Sequence, residues 1–369
     1  MKATFLSLVL ALFCYFATAQ GSLPLPLDYK PIIKKIQTPW GMDWLPNGDL
    51  LITDRDGKIY RWSNDELTEV SGFLEVAAQG QGGLLDIIVH PQYDKNGWIY
   101  FSYSKPMGVD AKEKNIFTTA IARAKLSEDR LEDVTEVFRA EPAFETTHHY
   151  GSRMVFDNEG YLYFSVGDRG RRDKNPQSLD NHCGKIHRIN DDGSIPADNP
   201  FVKLPTAMPS IYSYGHRNPQ GLVYNKETKT LWEHEHGPKG GDEVNIIEKG
   251  KNYGWPIISF GINYSGSKFT EITKKEGLEQ PEIYWAPSIA PSGMDFVTSD
   301  KYPGLKGDLL IGSLSFQYLH RCDVEDGEIV KQEEYFKGIG RVRVIRQGPD
   351  GYIYFGVEGK GIMRLVNNF

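Results

Sequence analysis

Cysteine is scarce in this chain, with three residues in 369, at positions 14, 183 and 322. That scarcity excludes a disulfide-built scaffold, and no two cysteines have the spacing of a zinc site. Cys14 belongs to the N-terminal apolar stretch, which leaves Cys183 and Cys322 either to bridge or to remain as two buried thiols. Long apolar runs are also missing. The N-terminal stretch, Phe5 to Phe16, is too short to cross a bilayer comfortably; Lys2 precedes it and Ala17-Thr18-Ala19 follows. This is the pattern of a cleaved export signal over residues 1–19. It predicts Gln20 as the mature start and a periplasmic or secreted protein without a membrane span. Positive charge is not in excess. Lys and Arg number 42 against 49 Asp and Glu, a net charge of -7, which argues against a general nucleic-acid binder. The Gly/Gln loop Ala78 to Leu85 lacks both the G-x-G-x-x-G spacing and a βαβ context, so a nicotinamide site is excluded.

Aromatics and turn formers are plentiful: 20 Tyr, 18 Phe, 38 Gly and 21 Pro. This mixture favours short strands over long helices. A unit recurs in which a Pro/Asp/Asn/Gly turn leads into alternating apolar residues. It occurs at Leu45–Ile52, His90–Tyr100, Phe156–Tyr163, Tyr224–Trp232, Gly307–Ile311 and Gly348–Tyr354. Each copy is a hairpin signal with period-two alternation behind it. Six irregularly spaced copies predict an all-β, six-bladed β-propeller, with residues 20–369 as a single domain. Ser165 to Asn199 then reads as loops on one rim. Lys105 to Asp133, with its mixed-charge run Lys125–Arg130, reads as a solvated connection.

Four constellations could carry chemistry. His149 stands at the mouth of the third copy, and Asp168 follows at the end of its strand. A carboxylate that fixes the tautomer of a histidine suits it to act as a general base, the alternative being a structural histidine in a turn. His148 reads as structural. Arg217-Asn218-Pro219-Gln220 joins a permanent cation to two amides, suited to carboxylates and quinone oxygens or to capping a blade edge. His236 to Glu243 offers turn carbonyls and the carboxylates Asp242 and Glu243, suited to a hard cation or simply to water. Arg341 and Arg343 alternate along a strand, so they point the same way, toward an anion or toward solvent.

Taken together these motifs resemble the PQQ-dependent soluble glucose/aldose sugar dehydrogenases, from about Thr38 to the C-terminus. The resemblance rests on Gln81-Gly82-Gly83-Leu84-Leu85, the block of His149, Arg153 and Asp168, and Gly184 to Pro196. It continues through Gly215 to Gly221, Asp242 to Asn245 and Asn252 to Pro256. It implies a six-bladed propeller with pyrroloquinoline quinone (PQQ) over the central rim. His149 would take the proton of an aldose's anomeric hydroxyl, Asp168 would orient it, and a hydride would pass to PQQ. Arg217 and a calcium ion would polarise the quinone oxygen. Gln81, Asn218, Arg341 and Arg343 would hold the cofactor, with Gln220 close by. The carbonyls of Gly237 and Pro238 would bind the catalytic Ca²⁺, and Glu243 with the Tyr253 carbonyl a structural one. The resemblance does not identify the electron acceptor. Two departures stand out. Ser313-Leu314-Ser315 replaces the family's Ser-Leu-Lys, and Trp285-Ala286-Pro287-Ser288 differs where the glucose enzymes wall the sugar with aromatics. The alternatives are a calcium-dependent propeller hydrolase such as a lactonase, and a non-catalytic carbohydrate- or protein-binding propeller.

Overall fold

The computed structural model describes residues 25–367. The expected signal and its cleavage site at Ala19 lie outside the described residues. Strand β1 (Leu27–Ile33) opens the described chain. Blade one is β2 (Pro39–Trp44), β3 (Leu50–Asp54), β4 (Lys58–Ser63) and β5 (Glu66–Val70). Blade two is β6 (Leu84–Val89), β7 (Ile99–Val109), β8 (Asn115–Ser127) and β9 (Arg130–Arg139), with a one-turn helix α1 (Tyr93–Asn96) inside its first hairpin. Blade three is β10 (Met154–Phe156), β11 (Leu162–Val166), β12 (Lys185–Ile189) and β13 (Ile211–Tyr214). Blade four is β14 (Pro219–Asn225), β15 (Thr230–Glu235), β16 (Asp242–Ile247) and β17 (Ile283–Trp285). Blade five is β18 (Pro291–Phe296), β19 (Leu309–Ser313), β20 (Leu319–Glu325) and β21 (Glu328–Tyr335). Blade six is β22 (Val342–Gln347), β23 (Ile353–Val357) and β24 (Gly361–Asn367), with β1 as its outer strand.

All six sheets are four-stranded and antiparallel. The inner strands β2, β6, β10, β14, β18 and β22 touch in sequence, and β22 returns to β2. Residues from the two ends of the described chain thus share one sheet and close the ring. The predicted six-bladed propeller is the fold observed. Each of the six sequence repeats forms the hairpin between the first and second strands of its own blade. All six hairpins therefore lie at one end of the molecule. The loops between blades, and those between second and third strands, gather at the other end, where the site is.

The core is distributed. Apolar clusters lie between neighbouring blades, such as Leu51, Ile59, Leu84 and Phe101 between blades one and two. Val223, Trp232, Phe296 and Cys322 do the same between blades four and five. Burying such a side chain contributes about 1.5–3 kcal/mol. Cys183 and Cys322 sit in different clusters and both are free thiols, which decides against a bridge.

Two sequence expectations are corrected. Lys105 to Asp133 is mostly ladder: it contains the end of β7, all of β8 and the start of β9. Its charged run Lys125–Arg130 only turns the β8–β9 hairpin. The charges misled because they sit on the exposed ends of β8 and along the exposed outer strand β9, while the middle of β8 is buried. Within Ser165–Asn199, residues 185–189 are the buried strand β12, so only the segment 167–184 is a rim loop beside the site. Among the described residues no helix is long and apolar enough to cross a membrane.

Candidate active site

Five inner strands lose register near the site end, at Pro39/Gly41, Leu84/Ile87, Pro219/Gly221, Ser292/Met294 and Val342/Val344. A bulge leaves one residue unpaired and re-aims its side chain. The residues skipped include Trp40, Leu85, Gln220 and Arg343, and all four line a cavity of about 240 Å³ on the propeller axis. Two of the predicted cofactor-binding residues thus owe their direction to bulges that alternation cannot show.

His149 and Asp168 meet as predicted. His149 Nδ1–H donates to Asp168 Oδ1 at 2.6 Å. The same oxygen accepts the Gly170 N–H at 2.8 Å, and Oδ2 accepts the Trp255 indole N–H at 3.0 Å. Burial would raise the Asp168 pKa, but these donors and the nearby charge of Arg217 outweigh it and hold the group ionised. Burial pulls the His149 pKa down to about 4, against the opposing bond to Asp168. The imidazole is therefore neutral at pH 7, with Nδ1–H committed and Nε2 left to accept a proton. His149 takes a left-handed backbone, φ 58°, a conformation that costs a non-glycine residue about 1–2 kcal/mol. It is held there by two contacts. Gln81 Oε1 accepts the His149 N–H at 2.8 Å. Gly167 packs against its carbonyl so closely that a Cβ would fall 2.3 Å from the oxygen.

The dyad lies on the wall of a cavity of about 660 Å³, with Gln81, Arg217, Pro238 and Trp255 beside it. Gln81 lines this cavity and the smaller axial one, and so joins them. Arg217 sits 5.5 Å from the Trp255 ring centre and donates through Nη1 to His236 O at 2.8 Å. Asn218 Oδ1 accepts the Gly151 N–H at 3.2 Å, and Gln220 Nε2 donates to Gly151 O at 3.1 Å. His148, expected to be structural, lines the larger cavity with its ring 4.7 Å from that of His149.

Arg341 and Arg343 converge, but on a protein carboxylate. Arg341 Nε donates to Glu358 Oε2 at 2.6 Å, and Arg343 Nε to Oε1 at 3.0 Å. The expected anion between them is thus internal. Both arginines nevertheless line the axial cavity with Arg55, three guanidiniums with one carboxylate behind them. Ser315 is exposed and does not line this cavity; its neighbour Leu314 does. Trp285 is no sugar wall either. Its indole donates to Gln332 Oε1 at 3.0 Å and its ring meets His320, on the blade-five side.

The predicted metal residues fall into two places. Pro238 edges the larger cavity, and Gly237 precedes it with its N–H donated to Asp242 Oδ1 at 2.8 Å. Glu243 pairs in register with Glu235, and Asn245 with Glu233, so the four share one face of blade four. His216, Glu233 and Glu235 bring ligand atoms within 4.8 Å of one another. The Tyr253 ring stacks over His216 at 4.7 Å. His216 Nδ1, Glu233 Oε1 and Asn245 Oδ1 are buried without a hydrogen-bond partner. No lysine or arginine pairs with these glutamates among the described residues. Burial and the neighbouring carboxylates raise the pKa values of Glu233 and Glu243. Orphaned buried oxygens in a hard-donor set fit an oxygen-loving cation such as Ca²⁺. Glu235 connects this cluster to the active site, because its Oε2 accepts the N–H groups of Arg217 and Asn218.

Glu235, Glu358, Glu233, Trp255 and Arg55 escaped the sequence reading as site residues. A signal did exist for two of them. In four blades an acid stands at the end of the second strand or just past it: Asp54 and Glu235 close β3 and β15, Glu358 follows β23 by one residue, and Asp168 follows β11 by two. Asp54 accepts the Gln37 and Thr38 N–H groups as Glu235 accepts those of Arg217 and Asn218. Extending each repeat to that acid would have found Glu235 and Glu358.

A buried His–Asp dyad on the wall of a rim cavity, opening onto an arginine-lined axial cavity, marks the candidate active site of a propeller enzyme. The chain belongs to the glucose/sorbosone dehydrogenase family, whose pattern matches residues 36–365. It is a sugar dehydrogenase by class. It is 40% identical over 346 residues to the aldose sugar dehydrogenase YliI of Escherichia coli K12, covering 92% of each chain. The soluble aldose sugar dehydrogenase of Escherichia coli in its apo-form superposes with a TM-score of 0.86 at 38% identity, covering 93% of this chain and 100% of that one. The PQQ-bound aldose sugar dehydrogenase of Streptomyces coelicolor gives 0.75 at 26% identity, with coverage of 93% and 98%.

Proposed function

We propose that this protein oxidises an aldose at its anomeric hydroxyl in a PQQ-dependent reaction. The observation that carries this is the neutral, Asp168-bonded His149 on the wall of a cavity that meets three guanidiniums on the axis. A flat polycarboxylate fits that donor set, because Arg341 and Arg343 share the single counter-charge of Glu358 while Arg55 lines the same cavity. Gln81, Asn218, Gln220 and the two later arginines would hold the cofactor, and Arg217 would face its quinone edge. When bound, PQQ supplies the acceptor for the anomeric hydride. The protein's share is proton removal and positioning. His149 Nε2 takes the hydroxyl proton as the C1–H electron pair leaves, and Asp168 stabilises the imidazolium that forms.

Calcium is part of the reading. Pro238 edges the cavity with Gly237 just before it, and the orphaned oxygens of Glu233 and Asn245 favour a second, buried ion. A calcium-dependent hydrolase would need free carboxylates converging on the catalytic cavity, whereas Asp168 and Asp173 there are held by His149 and Arg172, and the acidic cluster lies behind Arg217. Export rests on the N-terminal pattern alone. Mass spectrometry of the exported protein should find a chain starting at Gln20; an intact Met1 would refute processing.

The test of the function is reconstitution of the recombinant protein with PQQ and Ca²⁺, followed by dye reduction across a panel of aldoses. Turnover that requires PQQ is the expected result. Failure to bind PQQ by calorimetric titration, or binding without oxidation of any aldose, would overturn the reading.

A further inference from the structure

The mouth of the larger cavity carries more positive charge than its chemistry uses. Four cations line it, Arg171, Arg172, Lys174 and Arg217, against two carboxylates, Asp168 and Asp173. Asp168 is consumed by its three donors. Asp173 Oδ1 accepts from Arg172 Nε at 2.9 Å. Arg171 Nη2 is neutralised by both oxygens of Glu145, at 2.9 and 3.0 Å. Arg172 Nη1 donates to Asn263 Oδ1 at 3.0 Å, and its guanidinium lies 4.9 Å from the Phe269 ring centre. Arg172 therefore fastens the rim loop of blade three to the long excursion of blade four. Lys174 differs. Its backbone is fixed, with its N–H donated to Arg171 O at 3.0 Å, but its exposed ammonium has no partner among the described residues. A chain with a net charge of -7 thus keeps an uncompensated cation at the entrance to its site.

We propose that this cavity prefers an aldose bearing an anionic group at the end remote from its anomeric carbon, and that Lys174 meets that group. The proposal rests on the sugar-dehydrogenase reading above. An aldose with its anomeric hydroxyl at His149 points its far carbon away from the dyad, toward the mouth where Tyr264 and Lys174 stand. An exocyclic carboxylate or phosphate there accepts from the ammonium, whose uncompensated charge also favours the approach of an anion. A neutral hexose gains none of this. Because the lysine is exposed and flexible, the gain is modest, up to about fivefold.

The experiment uses the PQQ- and Ca²⁺-reconstituted protein, native and Lys174→Met. Steady-state dye reduction is measured with glucose, glucuronate and glucose 6-phosphate, at low and high salt. The two anionic arms tell a carboxylate from a phosphate. For at least one of them, kcat/KM relative to glucose should fall about two- to fivefold in Lys174→Met, mainly through KM, and fall similarly when salt screens the native protein. Calorimetric titration should show equal PQQ affinity in both proteins. An unchanged ratio in the variant overturns the proposal. Weaker PQQ binding in the variant also overturns it, by reassigning the lysine to the cofactor. Glucose oxidation without anionic preference defeats this proposal alone, whereas oxidation of no aldose defeats the function reading as well.

Discussion

His149 combines a strained backbone with a pKa that burial moves well below the ordinary imidazole value, and in the proposed reaction both serve one proton transfer. His149→Ala should lower sugar oxidation by about 100-fold or more, the usual scale for losing a general base. PQQ affinity measured by titration should survive, since the ring lines the substrate cavity and not the axial one. Equal loss of both would show that His149 holds the cofactor. The pH profile gives a second check. The base must be neutral to act, and its pKa lies near 4. The acid limb of kcat/KM should therefore fall near pH 4, leaving a plateau through pH 5–7. Asp168 raises the His149 pKa, so Asp168→Asn should move the limb lower while slowing turnover. A limb near pH 6.5 would mean that the ring is solvated in the free enzyme.

Within the elements, the site depends on where strands end. Gly167 follows β11 and lets two rim loops touch backbone to backbone. Its case is steric, because a Cβ would fall 2.3 Å from His149 O and 2.8 Å from Asn218 Oδ1. Gly167→Ala should cost about 1–3 kcal/mol of stability, typical of forced overpacking. Its effect on kcat should be larger than that number suggests, because the atoms displaced carry the dyad. Thermal melts and kcat on the same sample would check this. Full activity with a shifted melt would show that the loops relax elsewhere. The rim-end acids form a second such device. Acids at or just past the end of the second strand, Asp54, Glu235 and Glu358, tie incoming loops or counter-charges to their blades. In the proposed reaction Asp168 is the one turned to chemistry.

For the molecule as a whole, stability is shared around a closed ring, and one wedge of that ring holds a repulsive acidic cluster. Exhaustive chelation should lower the melting temperature, because a cation bound only to the folded state stabilises it by mass action, about 2.7 kcal/mol at a hundred times its Kd. Glu233→Gln separates this from a general effect of the chelator. Removing a buried carboxylate relieves repulsion in the cation-free protein, so the chelated variant should melt no lower than the chelated native protein. The calcium-dependent gain should shrink. Equal gains in both proteins would place the ion away from Glu233.

The linear chain by itself determined the architecture and the identity of the dyad. Six turns followed by alternating apolar residues can bury both faces of each small sheet only against like neighbours, and that is a ring of blades. His149 and Asp168 were legible because one strand and its turn separate them, so local geometry brings them together. What only the tertiary structure decided are the contacts made across the axis and between blades. Trp255 reaches Asp168 from the neighbouring blade, 87 residues away. Gln220 and Arg343 face the axis because β-bulges turn them there. The strands of Lys105–Asp133 were hidden because the polar strand ends of β7 and β8 and the exposed strand β9 look like loop in sequence. These features arise where closure of the ring, not local alternation, sets which side chain meets which, and no short window of sequence contains that constraint.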